Sequence, residues 1–375
     1  MAKEQMLPET LYDRAWEVCR YQARSLEELH LKAQILVGLI DGDMPDVCDG
    51  LAKSIRDDAE FLSQTYSGGL PNREAMLSEP TPILHVLSPQ KHTSPFDVNM
   101  AADAGYRVII PYNNVTPEDV TALVQDAIFS RPPAHGVRTG IFLGGKDAIL
   151  ALDMMDAAKK AMVPPFQLSV FADPAGSFTT AAAMVACVER VLKLKLSRSW
   201  KGTRVVALGA TGVVGYASSV LAALEGAHVQ LVAHRGVDRL IRSAKVTKQR
   251  FGVDLEPVSA ETDEQKRKII GTAEVVFVAA TAGVRVLTAE HLALAKDLLV
   301  VADVNAVPPS GVEGVELFMD GAPLPGCKAL GVGALTIGDI KYKTESGLFK
   351  QMIASKEPLS LDFRHAFTRA RQLTA

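Results

Sequence analysis

The chain has 375 residues, of which 48% are hydrophobic and 22% are charged, and its formal net charge at pH 7 is −3. This length is too great for one ordinary hydrophobic core and predicts two or three domains. The small net charge excludes a general attraction to nucleic acid or to an anionic membrane. No positively charged leader precedes an apolar segment, and no apolar run approaches the ~20 residues of a membrane-spanning helix, so we expect a cytoplasmic protein.

Residues 1–79 are predicted to form an all-helical extension that ends in a linker. Ser25 and Glu28 have the spacing of a capping box, and Pro45 stands where the first turn of another helix would begin. The glycines and prolines of the stretch Tyr66–Pro82 predict the linker. The extension contains no catalytic constellation, so its function is open between subunit contacts, a lid and the binding of a partner.

From Ile83 the sequence alternates short apolar strands with helices. Strands are predicted at Ile83–Leu87, Arg107–Pro111, Thr139–Leu143 and Gln167–Phe171, and later at Val275–Ala280, Leu298–Ala302 and Lys328–Gly331. Helices are predicted at Asp97–Ala104, Pro117–Phe129, Lys146–Ala161, Thr179–Lys193 and Asp339–Ala354. This alternation indicates a parallel sheet with helices on both faces, and hence an N-terminal α/β domain over residues 80–195.

A glycine-rich turn follows a short apolar strand in the second half of the chain. Gly209, Gly212 and Gly215 form a GxxGxxG pattern, since Ala210 stands where the stricter GxGxxG pattern has its first glycine. A turn of this kind lets a pyrophosphate approach the backbone N–H groups and the positive end of the following helix dipole. The alternative is ordinary turn chemistry. A second strand follows the helix, and this context predicts a Rossmann-type NAD(P) domain over residues 196–334.

The end of that second strand bears on which cofactor is used. An NAD enzyme usually places an Asp or Glu there, whereas this chain has His234 and Arg235, with Arg239 one turn on. Cations suit a 2′-phosphate, so NADP is expected, with NAD as the alternative; these residues could also be solvated charges at a strand end. The other predicted cofactor contacts are Thr211, Val213 and Val214 at the turn and Ala280, Thr281 and Asn305 after later strands. For Ala280 and Thr281 the alternative is an ordinary loop.

Polar residues follow four successive strands of the first lobe, at the edge where open α/β sheets bind their ligands. The candidates for catalysis or substrate binding in these loops are Asp97, Asn113, Asn114, Asp173, Phe178 and Thr179. Structural alternatives exist, since Asp97 can cap the helix that begins there and Thr179 can be a capping hydroxyl. Further along, Lys341 and Lys343 are two residues apart and point to different sides of a helix, so at most one of them faces a cleft.

Several kinds of chemistry are disfavoured by what the sequence lacks. It has no nucleophile elbow, HExxH motif or P-loop, and its four cysteines are widely spaced with no CxxC, so no metal site is expected. None of the seven tyrosines is followed by a lysine four residues on, which disfavours carbonyl reduction with a tyrosine proton donor. A reaction that moves a hydride with no coupled proton fits this absence.

Six blocks of the sequence carry a resemblance to a known family. They are SPFDVNMAADAGY, IPYNNVTPEDV, FLGGKDA, LSVFADPAGSFTTAAAMVA, ADVNAVPPSG and ALGVGALTIGDIKYKTE. From about Ile83 to the C-terminus the chain resembles the NAD(P)-dependent methylene-tetrahydromethanopterin dehydrogenases of methylotrophic bacteria; residues 1–79 lie outside the resemblance. It implies oxidation of methylene-tetrahydromethanopterin to the methenyl cation in formaldehyde oxidation, by a homo-oligomer with a pterin lobe and an NADP lobe.

The resemblance also implies roles for particular residues. The lysine of the motif matched by GDIK is an active-site residue in the family, which singles out Lys341 as a residue that orients the pterin. A carboxylate would stabilise the forming cation, so Asp97 and Asp173 are the expected catalytic carboxylates. The C-terminal helices in residues 335–375 are expected to complete the pterin domain. Ala210 differs from the NADP-specific members, and this leaves the choice between NADP and NAD open.

Two alternatives to this function remain open from the sequence. One is the same reaction on methylene-tetrahydrofolate, because the two carriers share the reacting ring. The other is a non-catalytic NADP-binding sensor or scaffold whose N-terminal helices bind a partner, and the N-terminal extension is the feature that favours it.

Overall fold

Helices make up the described part of the first unit. The computed structural model describes residues 16–40, 45–66 and 80–375, and the chain divides into two units after Glu79. Residues 16–20 are helical, α1 spans Leu26–Ile40 and α2 spans Pro45–Tyr66. Both predicted helix starts are confirmed, because the Glu28 N–H donates to Ser25 Oγ at 3.2 Å and α2 begins at Pro45. Residues 67–79 of the predicted linker lie outside the described residues.

The first sheet of the second unit has five parallel strands in the order β12-β4-β3-β1-β2. Its strands are β1 (Ile83–Leu87), β2 (Val108–Tyr112), β3 (Thr139–Leu143), β4 (Ser169–Ala172) and β12 (Ser360–Leu361). The helices between β1 and β5 are α3 (Pro95–Ala104), α4 (Pro117–Phe129), α5 (Pro133–Gly136), α6 (Ala148–Ala161) and α7 (Ser177–Leu196). The first four strands overlap those predicted, so the parallel α/β arrangement is confirmed.

The second sheet has seven strands in the order β10-β11-β9-β8-β5-β6-β7, of which only the edge strand β10 runs antiparallel to its neighbour. Its strands are β5 (Arg204–Leu208), β6 (His228–Ala233), β7 (Glu256–Ser259), β8 (Val275–Val278), β9 (Val300–Asp303), β10 (Asp320–Pro323) and β11 (Leu330–Val332). Its helices are α8 (Val213–Leu224), α9 (Val237–Phe251), α10 (Asp263–Ile270) and α11 (Ala289–Leu294). Without β10, the order from β7 to β11 is that of a Rossmann fold. The second unit is therefore a two-lobed α/β structure.

The helix α7 joins the two lobes through one continuous core. It packs against α8 of the nucleotide lobe, and against α12 (Ala334–Ala354) and α13 (Phe363–Thr374) from the C-terminal part of the chain. Buried apolar residues of both sheets belong to the same core cluster, including Phe171 of β4 and Phe277 of β8. The strand β12 pairs with β4, with Ser360 opposite Val170. This pairing supports the proposal that residues 335–375 complete the first domain.

One segment is long and apolar enough to cross a membrane by length and composition alone. Pro174–Leu196 has 23 residues and contains an 18-residue apolar window with a mean hydropathy of 1.2, so the expectation that no segment approaches this limit was wrong. Inside the second unit, however, 78% of its apolar window is buried. Burial of this extent is typical of a core helix, and the segment is weak evidence for a membrane span.

Candidate active site

The glycine turn lies at the topological switch point of the second sheet. The strand β5 has β6 on one side and β8 on the other. The connections after β5 and after β8 therefore run to opposite sides of the sheet, which leaves a crevice at the carboxyl end of β5. Gly209 follows β5 with φ of +82°, and a Cβ at this position would collide with the carbonyl of Ala279 after β8. A Cβ on Gly215 would lie 2.6 Å from the Gly209 carbonyl oxygen. The close approach of these backbones leaves the N-terminus of α8 open to a ligand.

A cavity of about 500 Å³ lies beside this turn, between the two lobes. Its lining residues come from the turn, from α9 and from the start of α6: Ala210, Thr211, Gly212, Val213, Tyr216, Arg239, Arg242, Ser243, Lys146–Leu150 and Asp153. Three of these side chains are cationic, and the positive end of α8 faces the same space. The arrangement fits a pyrophosphate and a further phosphate group.

The predicted nucleotide contacts differ in how the structure places them. Thr211, Gly212 and Val213 line the cavity with Arg239, whereas Val214 is half-buried and Gly215 is buried behind it. His234 and Arg235 are exposed at the end of β6 and lie outside the lining of this cavity. Arg239 reaches across the cleft to Asp147, with 4.0 Å between Nη2 and Oδ2.

Asn305 connects the two loops that follow β8 and β9. Its Oδ1 accepts hydrogen bonds from the backbone N–H groups of Gly283 at 3.2 Å and Val307 at 3.0 Å, and its Nδ2 donates to the Pro309 carbonyl at 3.0 Å. Ala280 and Thr281 lie half-buried and exposed, respectively, on the first of these loops. Asn305 therefore fixes the position of the loop that carries the other two.

A second cavity of about 400 Å³ lies at the carboxyl edge of the first sheet. It is lined by residues of the loops after β1, β3 and β4, together with the start of α3: Val86, Ser88, Gln90–Pro95, Asp97, Gly144–Lys146 and Ala175. Asn113 accepts a hydrogen bond from Thr93 Oγ1 at 2.8 Å, and Asn114 beside it has φ of +55°. Lys146 lines this cavity and the nucleotide cavity alike, so the two spaces meet at that residue.

Asp173 is fully buried directly after β4, and its hydrogen bonds come from the start of α7. Its Oδ1 accepts from the N–H groups of Phe178 at 2.7 Å and Thr179 at 3.2 Å, and its Oδ2 accepts from Thr179 Oγ1 at 2.6 Å. Phe178 packs edge-on against Phe363, with 5.1 Å between the ring centroids. Phe178 and Thr179, expected to contact substrate, are fully buried, and they hold Asp173 and the core instead of lining the cavity.

Lys341 of α12 lies beside the two aspartates. Its Nζ lies 3.6 Å from the centroid of the Phe96 ring and donates to the carboxylate of Glu345, one turn further along the helix. The charge of Lys341 acts on both Asp97 and Asp173. Lys343 points the other way and pairs on the surface with Asp339 at 2.7 Å. The predicted opposite directions of the two lysines are confirmed.

The three carboxyl groups near Lys341 are held in an environment that opposes their ionisation. Burial raises the pKa of Asp97 to about 7, the charge of Asp173 adds to this, and Lys341 opposes it. Burial and the charge of Asp173 likewise raise the pKa of Glu345 to about 8, and burial raises the pKa of Asp173. Among the described residues, Asp97 Oδ1 and Glu345 Oε1 are buried without a hydrogen-bond partner. The site therefore has an excess of potential negative charge over donors, which suits a substrate that becomes positive.

Two residues of the site were missed from the sequence: Glu345, which contacts Lys341, and Arg242, which lines the nucleotide cavity. Phe96 and Lys146, by contrast, lie in two of the polar loops that follow predicted strands. A glutamate four residues after Lys341 on a predicted helix was the available signal for Glu345. No comparable local signal existed for Arg242, because its position depends on how α9 packs.

Comparison with known proteins gives matches that cover most of the chain. Residues 95–175, which contain Asp97 and Asp173, match the family described as methylene-tetrahydromethanopterin dehydrogenase, N-terminal. The chain is 53% identical over 291 residues to an NAD(P)-dependent methylenetetrahydromethanopterin dehydrogenase of Methylorubrum extorquens, a match that covers 78% of this chain and 98% of that protein. It is 34% identical over 264 residues to the bifunctional protein MdtA of the same organism, covering 70% of this chain and 89% of that protein. Among solved structures, it resembles an NAD-dependent malic enzyme of Thermotoga maritima with a TM-score of 0.49 and 14% identity, over 86% of this chain and 90% of that chain.

Proposed function

Because the chain belongs to the family of NAD(P)-dependent methylene-tetrahydromethanopterin dehydrogenases, we propose that it oxidises 5,10-methylene-tetrahydromethanopterin to the 5,10-methenyl cation by hydride transfer to NADP⁺ or NAD⁺. The enzyme is an oxidoreductase. The structural observation that supports this function best is the buried cluster of Asp97, Asp173 and Lys341, beside a cavity that meets the nucleotide cavity at Lys146.

The reaction places a particular demand on the protein. The reacting carbon lies between two nitrogens; its C–H bond breaks, both electrons leave with the hydrogen, and the carbon becomes part of an amidinium-like cation that the nitrogen lone pairs stabilise. No proton leaves with the hydride, so no general base has to be positioned. The protein must hold the ring in place and stabilise the positive charge as it forms.

Asp97 is suited to stabilise that charge. Asp97 lines the first-lobe cavity. Its Oδ1 has no hydrogen-bond partner among the described residues. A buried carboxylate acts more strongly on a developing charge than one in water. The charge of Asp173 acts on Asp97 and adds to the negative potential of the site. Hydrogen bonds from the Thr179 N–H and hydroxyl fix the position of Asp173.

Lys341 is proposed to orient the pterin, with its charge compensated. Its ammonium is paired with Glu345 and lies against the Phe96 ring. An uncompensated ammonium beside the forming cation would raise the energy of the transition state. Asn113 and Asn114, which follow β2 at the same sheet edge, are proposed as further pterin contacts.

The nicotinamide cofactor is proposed to bind on the turn between β5 and α8. The backbone of residues 209–215 would hold the pyrophosphate, with the positive end of α8 behind it. His234, Arg235 and Arg239 would bind a 2′-phosphate, so NADP is the preferred cofactor in this proposal, with NAD as the alternative. Asn305 would keep the loop that carries Ala280 and Thr281 beside the nicotinamide ribose. Bound there, the cofactor supplies the hydride acceptor.

A cytoplasmic homo-oligomer is also part of the proposal. Four exposed apolar side chains are grouped on the surface: Leu317, Phe318, Leu335 and Tyr342. The Leu335 N–H donates to the Leu317 carbonyl at 2.9 Å, which brings the first three together. Tyr342 lies two turns after Leu335 in α12. Phe318 is 76% exposed. Apolar side chains grouped on a surface are typical of subunit contacts. Phe318→Asp should lower the mass measured by sedimentation if this surface joins subunits.

A matrix of two carriers and two nucleotides tests the proposed activity. Methylene-tetrahydromethanopterin with NADP⁺ should produce methenyl absorbance together with NADPH, and the same carrier with NAD⁺ measures the nucleotide preference. A higher kcat/KM on methylene-tetrahydrofolate would favour the folate alternative. Binding of NADP⁺ with no turnover of either carrier would favour a sensor, and would contradict the proposal. Deletion of residues 1–79 should leave turnover intact if the extension serves only assembly.

A further inference from the structure

Glu345 is a fully buried acidic residue with an incompletely satisfied carboxyl group. It lies four residues after Lys341 in α12, so the two side chains share one face of the helix. Its Oε2 accepts from Lys341 Nζ, whereas its Oε1 has no partner among the described residues. A fully buried carboxyl group with one oxygen unsatisfied lowers the free energy of unfolding, so stability alone does not account for it.

The groups that face Glu345 are mostly acidic. The helix α12 packs against α3, α7 and α13. From these elements, Asp97 on α3 and Asp173 before α7 act on Glu345 as negative charges, while Arg369 on α13 lies against Gly347. Lys341 is the cation that acts on Glu345. The single ammonium of Lys341 therefore interacts with three carboxyl groups, those of Glu345, Asp97 and Asp173. These groups are buried, so their charges interact strongly.

We propose that Glu345 is a positioning residue for hydride transfer: it holds the Lys341 ammonium against the Phe96 ring and offsets its charge while the methenyl cation forms. The inference rests on the proposed function, since that cation is the product of the proposed reaction. A lysine side chain has a flexible four-carbon stem, and an ion pair with a neighbour on the same helix face restricts where its ammonium can lie. With Glu345 neutralised, the ammonium repels the cation more strongly in the transition state than the uncharged substrate in the ground state. The loss therefore falls on kcat and not on KM.

Kinetics of Glu345→Gln test the charge. Glutamine keeps the size of the side chain and an oxygen that accepts from Lys341, but it removes the negative charge. Because the pKa of Glu345 is raised to about 8, the kinetics are measured at about pH 9, where its carboxylate is ionised. There we expect kcat for the methylene carrier to fall about 10- to 100-fold, with KM for carrier and nucleotide changed less than about threefold. Glu345→Asp, which keeps the charge on a shorter stem, should recover part of this loss. An unchanged kcat, or a raised KM with kcat intact, would overturn the proposal.

A double-mutant cycle with Lys341→Met separates an effect through Lys341 from a general disturbance. If Glu345 acts through that ammonium, adding Glu345→Gln to Lys341→Met causes no further loss of kcat, whereas loss factors that multiply contradict the proposal. Thr344→Val is the matched control, because Thr344 is a fully buried polar residue next to Glu345 that carries no charge. This control should keep kcat within about twofold. A loss equal to that of Glu345→Gln would overturn the inference.

A crystal structure of Glu345→Ala reads the positioning without relying on turnover. The Nζ of Lys341 should leave its place 3.6 Å from the Phe96 ring centroid. An Nζ that stays there in the variant would overturn the proposal. If the wild-type enzyme oxidises neither carrier, the proposed function fails, and this structure still decides whether Glu345 places the lysine. The two failures are thus distinguishable.

Discussion

Two buried aspartates of the second unit show opposite behaviour, although they are equally hidden from solvent. Asp97 is 2% exposed beside the first-lobe cavity, and Asp362 is 1% exposed at the N-terminus of α13. The pKa of Asp97 is raised to about 7, whereas that of Asp362 is lowered to about 2. Burial opposes ionisation in both cases. The difference therefore comes from what surrounds each carboxyl group.

The donors around each aspartate explain this contrast. Asp362 accepts from the Arg364 N–H at 2.9 Å and from the Arg364 guanidinium at 2.7 Å, and His365 Nδ1 lies 3.2 Å from its Oδ1. Asp97 has an unpartnered oxygen, and the nearby charge of Asp173 adds to the cost of its ionisation. Asp362 is satisfied and serves the fold. Asp97 has an oxygen, Oδ1, that is free to interact with a positive charge, which is what a cation-forming reaction requires.

The largest expected effect comes from removing the cluster's ammonium. Lys341→Ala should lower kcat/KM about 100- to 1000-fold, the usual size of a lost electrostatic contact at a reacting centre. Lys343→Ala is the matched control, because its partner Asp339 is on the surface, and its effect should stay below about twofold. Steady-state kinetics of both variants measure the difference. Equal losses would mean that Lys341 has no special position.

Asp97→Asn should lower kcat about 10- to 100-fold, because the amide cannot supply negative charge to the forming cation. In the wild type the ionised carboxylate becomes populated as pH rises through about 7, so turnover should rise between pH 6 and 8. The variant should lose this rise. A pH–rate profile at constant ionic strength checks it, and a variant with the wild-type profile would exclude Asp97 as its source.

The pH dependence of stability should distinguish the cluster from Asp362. Glu345 has a folded-state pKa of about 8 against an ordinary 4.5, so its contribution to the free energy of unfolding is fully present below about pH 4.5 and is lost as pH rises through 8. Glu345→Gln should flatten this fall by on the order of 2 kcal/mol between pH 5 and 8. Urea denaturation at the two pH values measures it. An unchanged slope would mean that Glu345 ionises as freely as in the unfolded chain.

Asp362 should give the opposite sign and the smallest effect. Its pKa is lowered from 3.8 to about 2, so its contribution to stability is present above about pH 4 and disappears as pH falls through 2. Asp362→Ala should cost about 1 kcal/mol at pH 7, the usual loss of an N-terminal cap, with kcat unchanged. Thermal denaturation from pH 7 down to pH 3 tests this. A loss that grows towards low pH would reverse the comparison.

The elements that sequence reasoning found are those with local causes. The strand Ile83–Leu87 and the helix Pro117–Phe129 have the predicted bounds, because apolar periodicity and a proline at the first helical position are properties of neighbouring residues. Gly209 was found in the same way, since its turn follows directly from the strand before it. Several elements were missed, because two of the helices are strongly polar and the others are short: α9, α10, α11, β7, β10 and β12.

The site was predicted less completely than the fold. Asp97, Asp173 and Lys341 were placed together from loop positions and family resemblance, and the structure brings their charges within reach of one another. Phe178 shows the limit of this reasoning. Adjacency to a strand end does not say which side of α7 a residue occupies, and the packing against Phe363 turns it into the core. Glu345 was missed because its importance depends on burial that three separate helices create.

The pairing of β12 with β4 has a consequence for how the protein is made. The first sheet begins at Ile83 but takes its last strand from Ser360–Leu361, and Lys341 precedes that strand by less than twenty residues of chain. When the ribosome has synthesised the nucleotide lobe, Lys341 and the strand β12 have not yet been made. The nucleotide lobe is therefore synthesised before the lysine and the strand that complete the first lobe, so we expect catalytic competence to arise late in synthesis.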